Sequence, residues 1–175
     1  MIKIKDKEFV TFISPQEIQS RIEALAEQIS ADHNGDTPVL LGILNGSFMF
    51  LADLAKQIKI PAEISFVKFS SYDGESSTGK VKELLGLEKS LSGRTVIVVE
   101  DIVDTGLTMK NLLEKIQALE PKQVQVAALL VKPEANVHPI DIAYVGFEIP
   151  NKFVVGYGLD YDGLGRNLGE IYQLK

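Results

Sequence analysis

Two rhythms of apolar and polar positions run along the chain, and each predicts an element. Ser14-Pro15-Gln16-Glu17 is a capping box with proline at the first helical position. Ile18, Ile22, Leu25, Ala26 and Ile29 then share one helical face, which predicts an amphipathic helix from 15 to about 31. Pro38 opens the continuous apolar run 39–44, bounded by turn residues, the pattern of a strand buried on both faces. Asn45-Gly46-Ser47 leads into a helix over about 47–57. Further strands are predicted at 62–69, 96–99, 124–131, 142–149 and 153–156. A polar loop follows 96–99, then a helical pattern carrying Leu107, Leu112, Leu113, Ile116 and Leu119, which Pro121 ends. Strands alternating with helices predict an α/β fold, a mostly parallel sheet flanked by helices.

Residues 70–93 break both rhythms. The stretch is polar and rich in Ser, Gly, Lys and Glu, and a loop of that length inside a compact domain is expected to be a lid or a disordered segment. There is no internal repeat and no dividing linker, so 1–175 is expected to be a single domain.

Composition narrows the function classes. At 175 residues the chain is long enough to bury a sizeable core without covalent staples. The chain has no cysteine, which removes disulfides, thiolate nucleophiles and cysteine metal sites and fits a reducing, cytoplasmic setting. A net charge of −6 argues against nucleic acid as a partner, because non-specific binding needs an excess of Lys and Arg. The segment 39–55 is interrupted by Asn45, Gly46, Ser47 and Asp53, so no membrane span is expected.

The chemistry concentrates at 96–109. A buried apolar strand runs into Glu100-Asp101, with Asp104 three residues on, then Thr105-Gly106-Leu107-Thr108 enters a helix. In open α/β sheets ligands sit beyond the carboxyl ends of the strands. A helix N-terminus offers free N–H groups to a phosphate, Gly106 lets the backbone come close, and Thr105 and Thr108 add hydroxyls. Carboxylates beside a phosphate cradle suit the hydroxyls of a phosphorylated sugar, with Mg²⁺ as mediator. The plain alternative is that Asp104 or Thr105 merely caps the helix. Three acids in five residues at the end of an apolar strand ask for more, since like charges repel. The Walker pattern and the dinucleotide glycine trio are both absent, and the carboxylate spacing disfavours an aspartyl-phosphate phosphatase.

The run Val98-Val99-Glu100-Asp101-Ile102-Val103-Asp104-Thr105-Gly106 resembles the phosphoribosyl-pyrophosphate signature of type I phosphoribosyltransferases. Leu130-Val131-Lys132 and the segment 145–161 are similar to the purine-binding segments of one branch, the hypoxanthine-guanine phosphoribosyltransferases. The resemblance extends from about residue 10 to the C-terminus. It implies the fold of that family, a twisted parallel sheet with a small hood formed by terminal segments. It implies transfer of a 5-phosphoribosyl group from phosphoribosyl pyrophosphate to N9 of a 6-oxopurine, a purine-salvage reaction giving IMP or GMP and pyrophosphate. A non-catalytic regulator on the same fold is the alternative.

The resemblance also assigns roles. Glu100 and Asp101 would hold the ribose hydroxyls, partly through Mg²⁺, and Asp104 would act as general acid/base at N7. The neighbouring acids would favour the protonated form of Asp104. Asp104, Thr105, Gly106, Leu107 and Thr108 would cradle the 5′-phosphate. Lys132 would donate to the 6-oxo oxygen, Phe153 would stack on the purine, Val154 would meet ring position 2, and Ile102 would pack on the other face. Asp160 would lie at the purine and pyrophosphate end and bind a second Mg²⁺. Arg166, one of three arginines, would pair with pyrophosphate. Leu44, Asn45 and Gly46 match the pyrophosphate loop, which in the family carries a non-proline cis peptide. Ser71 and Tyr72 would belong to the lid. Many members carry a basic residue at the position of Asn45 and an aromatic one at Gly165. The family forms dimers and tetramers. Neither His33 nor His138 looks catalytic, and both are expected at the surface.

Overall fold

A computed structural model describes residues 1–68 and 89–175. The expected lid residues Ser71 and Tyr72 lie outside the described residues.

The elements follow the patterning closely. Helix α1 (Pro15–Asp32) begins at the capping box, where the Ser14 hydroxyl accepts from the Glu17 N–H and the Glu17 carboxylate accepts from the Ser14 N–H. Strand β3 (Val39–Leu44) is buried along nearly its whole length and runs into α2 (Phe48–Gln57). Strands β4 (Glu63–Lys68), β5 (Thr95–Val103), β6 (Gln123–Val131) and β7 (Tyr144–Glu148) complete a five-stranded sheet in the order β4-β3-β5-β6-β7. All four pairings are parallel. Helix α3 (Leu107–Gln117) joins β5 to β6.

Helices α1 and α2 cover one face of the sheet, where Ile18, Ile22, Leu25, Ile29 and Phe50 meet Leu40, Ile97 and Leu129. Helix α3 covers the other, with Met109, Leu112 and Ile116 against Val96, Val98 and Val126. Burying each of these side chains contributes about 1.5–3 kcal/mol, so both layers are held mainly by apolar area.

A second, antiparallel sheet forms the hood from both ends of the chain. It comprises β1 (Ile2–Ile4), β2 (Lys7–Ile13), β8 (Val154–Val155) and β9 (Ile171–Leu174), ordered β1-β2-β9-β8. Ile4, Phe9, Val155 and Tyr172 make its core.

Four details depart from the sequence expectations. The strand expected at 153–156 belongs to the hood, not to the parallel sheet. Strand β5 does not stop at Val99 but continues to Val103, because β6 pairs with it through Val103↔Val131; the acid pair therefore sits on a strand, not in a loop. Helix α3 ends at Gln117, before Pro121, and Leu107 and Leu119 are exposed. His33 is buried, because α1 runs on to Asp32 and carries it over the start of β7, where its Nε2 lies 3.1 Å from the Tyr144 hydroxyl. His138 is half-buried.

Candidate active site

Parallel register brings the chemistry together. Val103 lies opposite Val131 and the Lys132 N–H donates to the Val103 carbonyl, so Asp104 and Lys132 leave the sheet side by side. The Lys132 ammonium donates to the Asp104 carboxylate at 2.9 Å. Lys132 is only 7% exposed, unlike most lysines, which stand in solvent. The partner of Asp104 is therefore this ammonium rather than the neighbouring acids.

On the other side of β5, Gly42 pairs with Val99, and the Leu44–Gly46 loop emerges next to Glu100 and Asp101. The Leu44–Asn45 peptide is cis. A Cβ on Gly46 would lie 1.6 Å from Oδ2 of Asp101, so the loop backbone packs directly on that carboxylate. On its outer side the loop touches Gly158, whose own Cβ would lie 2.0 Å from the Gly46 carbonyl oxygen.

The acid pair is poorly neutralised. The Asp101 N–H donates to Glu100 at 3.2 Å and the Ile102 N–H donates to Asp101 at 2.9 Å. Protein surrounds the Glu100 carboxyl although part of the residue faces the cavity. Burial first, then the adjacent Asp101, push the Glu100 carboxyl well above the ordinary carboxylate range.

The turn after β5 is built for an anion. Gly106 is the N-cap of α3, with φ +82, and no side chain caps the helix. The Thr105 hydroxyl lies 3.5 Å from the Leu107 N–H, and Asp104 is engaged with Lys132. Asp104 therefore does not cap the helix and Thr105 holds it only through that one long bond to Leu107, so the first turn of α3 presents the positive end of its dipole with little side-chain capping. The Thr105 carbonyl accepts from the N–H groups of Val137 and His138, at 3.1 and 3.0 Å, which fixes the turn from behind.

These groups surround one cavity of about 420 Å³. It is lined by Leu44, Asn45, Gly46, Glu100, Asp101, Ile102, Asp104, Thr105, Gly106, Thr108, Lys132, Phe153, Val154, Asp160 and Arg166. Among the site residues expected from sequence that the structure describes, only Leu107 is missing from this wall. Its side chain is exposed and only its N–H faces the turn. Phe153 is 41% exposed, an open ring face supported edge-on by Tyr161 at 5.8 Å. Arg166 donates to the Gly158 carbonyl at 2.6 Å and pairs with Asp160 at 2.6 Å. Asp160 also accepts from the Gly163 N–H at 2.7 Å.

Sequence reasoning missed several groups that shape the site. Ile43, Val103, Met109 and Leu159 also line the cavity. Gly158 and the Val137–His138 pair support it from behind. The carriers are a glycine in a glycine-rich tail and two backbone N–H groups, neither of which leaves a local sequence signal.

The result is an acid-lined cavity beside the start of α3, at the carboxyl ends of the parallel sheet. The phosphoribosyl transferase domain family matches residues 14–162. A hypoxanthine-guanine phosphoribosyltransferase of Mycobacterium tuberculosis is 42% identical over 166 residues, covering 91% of this chain and 82% of that protein. One from Aquifex aeolicus is 36% identical and covers 100% of this chain and 99% of that protein. The solved structure of a Trypanosoma cruzi hypoxanthine phosphoribosyltransferase, a mutant in a ternary substrates complex, matches with a TM-score of 0.88 at 36% identity. It covers 98% of this chain and 97% of that one. The chain belongs to the hypoxanthine-guanine phosphoribosyltransferase family. The alternative of a non-catalytic regulator finds no support among these relatives, which are named as enzymes.

Proposed function

We propose that the chain transfers the 5-phosphoribosyl group of phosphoribosyl pyrophosphate to N9 of hypoxanthine, and of guanine, releasing IMP or GMP and pyrophosphate. The observation that carries this reading is the Asp104–Lys132 pair at 2.9 Å beside the uncapped start of α3. In a free 6-oxopurine that carries its imidazole proton on N7, the 6-oxygen is an acceptor and the adjacent N7–H a donor, and N9 keeps its lone pair for the new bond. Lys132 has only donors to offer, so it suits the oxygen, and Asp104 suits the proton at N7. Adenine presents an amino group at position 6 and leaves the ammonium without an acceptor.

The remaining roles are those the family resemblance implies. Phe153 stacks on the base, Ile102 covers its other face, and the Val154 backbone meets position 2. The 104–108 turn takes the 5′-phosphate. As the bond to pyrophosphate breaks, positive charge develops on the ribose ring, and Glu100 and Asp101 stabilise it. Leu44, Asn45, Gly46 and Arg166 face the departing pyrophosphate.

Mg²⁺ fits this donor set. The described residues contain no group of three or more His, Asp or Glu arranged as a closed metal cage. Two carboxylates, Glu100 and Asp101, plus substrate oxygens are the usual way Mg²⁺ is held, with Asp160 available for a second ion. The ion supplies charge neutralisation to a leaving group that an acidic chain does not supply itself.

The proposal also keeps one domain over 1–175, a lid within 70–93, a cytoplasmic location and a homodimer or homotetramer, all resting on the family resemblance. No described helix is long and apolar enough to cross a membrane. The test is pyrophosphate release with hypoxanthine, guanine, xanthine and adenine in turn, with and without Mg²⁺. Release with hypoxanthine and Mg²⁺ but not with adenine supports the reading, and preference for adenine overturns it.

A further inference from the structure

Tyr157 has a buried hydroxyl and no part in the chemistry above. It is 2% exposed and sits in the left-handed region at φ +48, which a non-glycine residue holds only when its surroundings fix it there. Its phenol donates to the carboxylate of Asp53 on α2. Asp53 is gathered in turn by Gln19 of α1, at 2.9 Å, and by Lys56, at 2.5 Å. Burial and the facing carboxylate both raise the Tyr157 phenol, so it remains the donor. The pair thus ties the hood segment 156–160 to two helices of the main layer.

The same two pieces of chain meet at a second point. Gly158 packs on the Gly46 carbonyl, and Gly46 packs on Asp101. Helix α2 is the direct continuation of the loop that carries Gly46: the Ser47 hydroxyl donates to the Ile43 carbonyl at 2.7 Å and the Leu51 N–H donates to the Ser47 carbonyl at 2.8 Å. Asp53 lies about two helical turns further along, roughly 10 Å away. Two neighbouring residues of the hood segment, Tyr157 and Gly158, are thus held to two separated points of one continuous piece of chain, which restrains its orientation. Beyond Gly158 the same segment carries Asp160, and the Gly158 N–H and carbonyl both bond to Arg166.

We propose that Asp53 and Tyr157 are positioning residues that set the approach of the hood segment to the Leu44–Gly46 loop, and through it the grip of Asp160 and Arg166 on pyrophosphate. This inference rests on the proposed function. Base recognition is held by other means: Lys132 by β6, and Phe153 by Phe9, Tyr161 and the bond from the Leu174 N–H to its carbonyl.

Tyr157→Phe removes the hydroxyl and keeps the ring. The expected result is a rise of about three- to ten-fold in the KM for phosphoribosyl pyrophosphate, the range one hydrogen bond covers, with the KM for hypoxanthine within about two-fold of the parent. Calorimetric binding of pyrophosphate with Mg²⁺ should weaken by the same factor, a readout that needs no turnover. Asp53→Ala should act alike, Asp53→Asn less, since the amide oxygen still accepts from the phenol. In the double variant the two effects should not add. An unchanged pyrophosphate affinity in Tyr157→Phe overturns the inference. So does an equal rise in both KM values accompanying a lower Tm, which is the signature of a general loss of packing. A parent that binds pyrophosphate but forms no IMP overturns the proposed function instead, and the binding comparison still decides the role of the pair.

Discussion

Acids gather at both ends of the parallel sheet, and the two ends treat them in opposite ways. At the amino end, Asp36 accepts from the Thr95 hydroxyl at 2.7 Å, the Thr37 N–H at 2.8 Å and the Lys122 ammonium at 3.1 Å. Those donors hold its carboxyl down at about 2. Asp32 accepts from Tyr144, and Glu63 pairs with Arg94 at 3.1 Å. At the carboxyl end, Glu100 and Asp101 have backbone N–H groups and each other, and the Glu100 carboxyl is raised. The same residue types are paired with donors at one end, whereas at the other Asp104 and Asp160 have cations and Glu100 and Asp101 have no ion pair among the described residues. Their partners at the carboxyl end, on the proposed function, are a sugar, a metal ion and a base.

The largest effect should come from Asp104→Asn. Turnover should fall by about 10²–10⁴, the usual contribution of a positioned acid/base, while phosphoribosyl pyrophosphate binds nearly as before. Steady-state kinetics with calorimetry would show it, and near-normal turnover would refute the role. Gly46→Ala comes next. Its new Cβ would lie 1.6 Å from Oδ2 of Asp101, so that carboxylate must swing aside. Activity should drop by at least about tenfold with the far-ultraviolet spectrum unchanged.

Two milder substitutions set the ends directly against each other. The Glu100 carboxyl is raised above its ordinary value of 4.5 by folding, so its ionisation opposes the folded state as pH rises. Glu100→Gln should melt above the parent at pH 7, with the gap closing below about pH 4.5. Asp36 is depressed from 3.8 to about 2, so its contribution is full above 3.8 and is lost as pH falls towards 2. Asp36→Asn should melt below the parent at pH 7 and approach it in acid. Melting curves that shift the same way for both variants at pH 7 would erase the contrast between the ends.

Much of the parallel layer was legible because its elements are local. The capping box at Ser14 and the face of Ile18, Ile22, Leu25 and Ile29 needed no tertiary information. What escaped depends on pairing. Strand β5 looked finished at Val99 because charged residues follow, yet β6 carries the ladder on to Val103. The hood was expected only from the family resemblance, because β2 and β9 meet across nearly the whole chain, Phe9 against Leu174. His33 looked solvated in a polar turn, and only the packing of α1 over Tyr144 buries it. The candidate site divides in the same way. Glu100, Asp101 and Asp104 stand in one readable run, whereas the Asp104–Lys132 contact joins residues 28 apart through a strand register that no local pattern announces.

The pairing of β2 with β9 has a consequence for biosynthesis. On the ribosome, residues 7–13 emerge long before 171–174, so the hood pairing waits for residues that follow the whole parallel layer, whose last strand ends at Glu148. The parallel layer can assemble before those residues appear, but the roof over Phe153 cannot close until 171–174 have been made. A product that stops before Ile171 would keep the cavity walls built on the parallel sheet and lose β9, whose Leu174 N–H bonds to the Phe153 carbonyl.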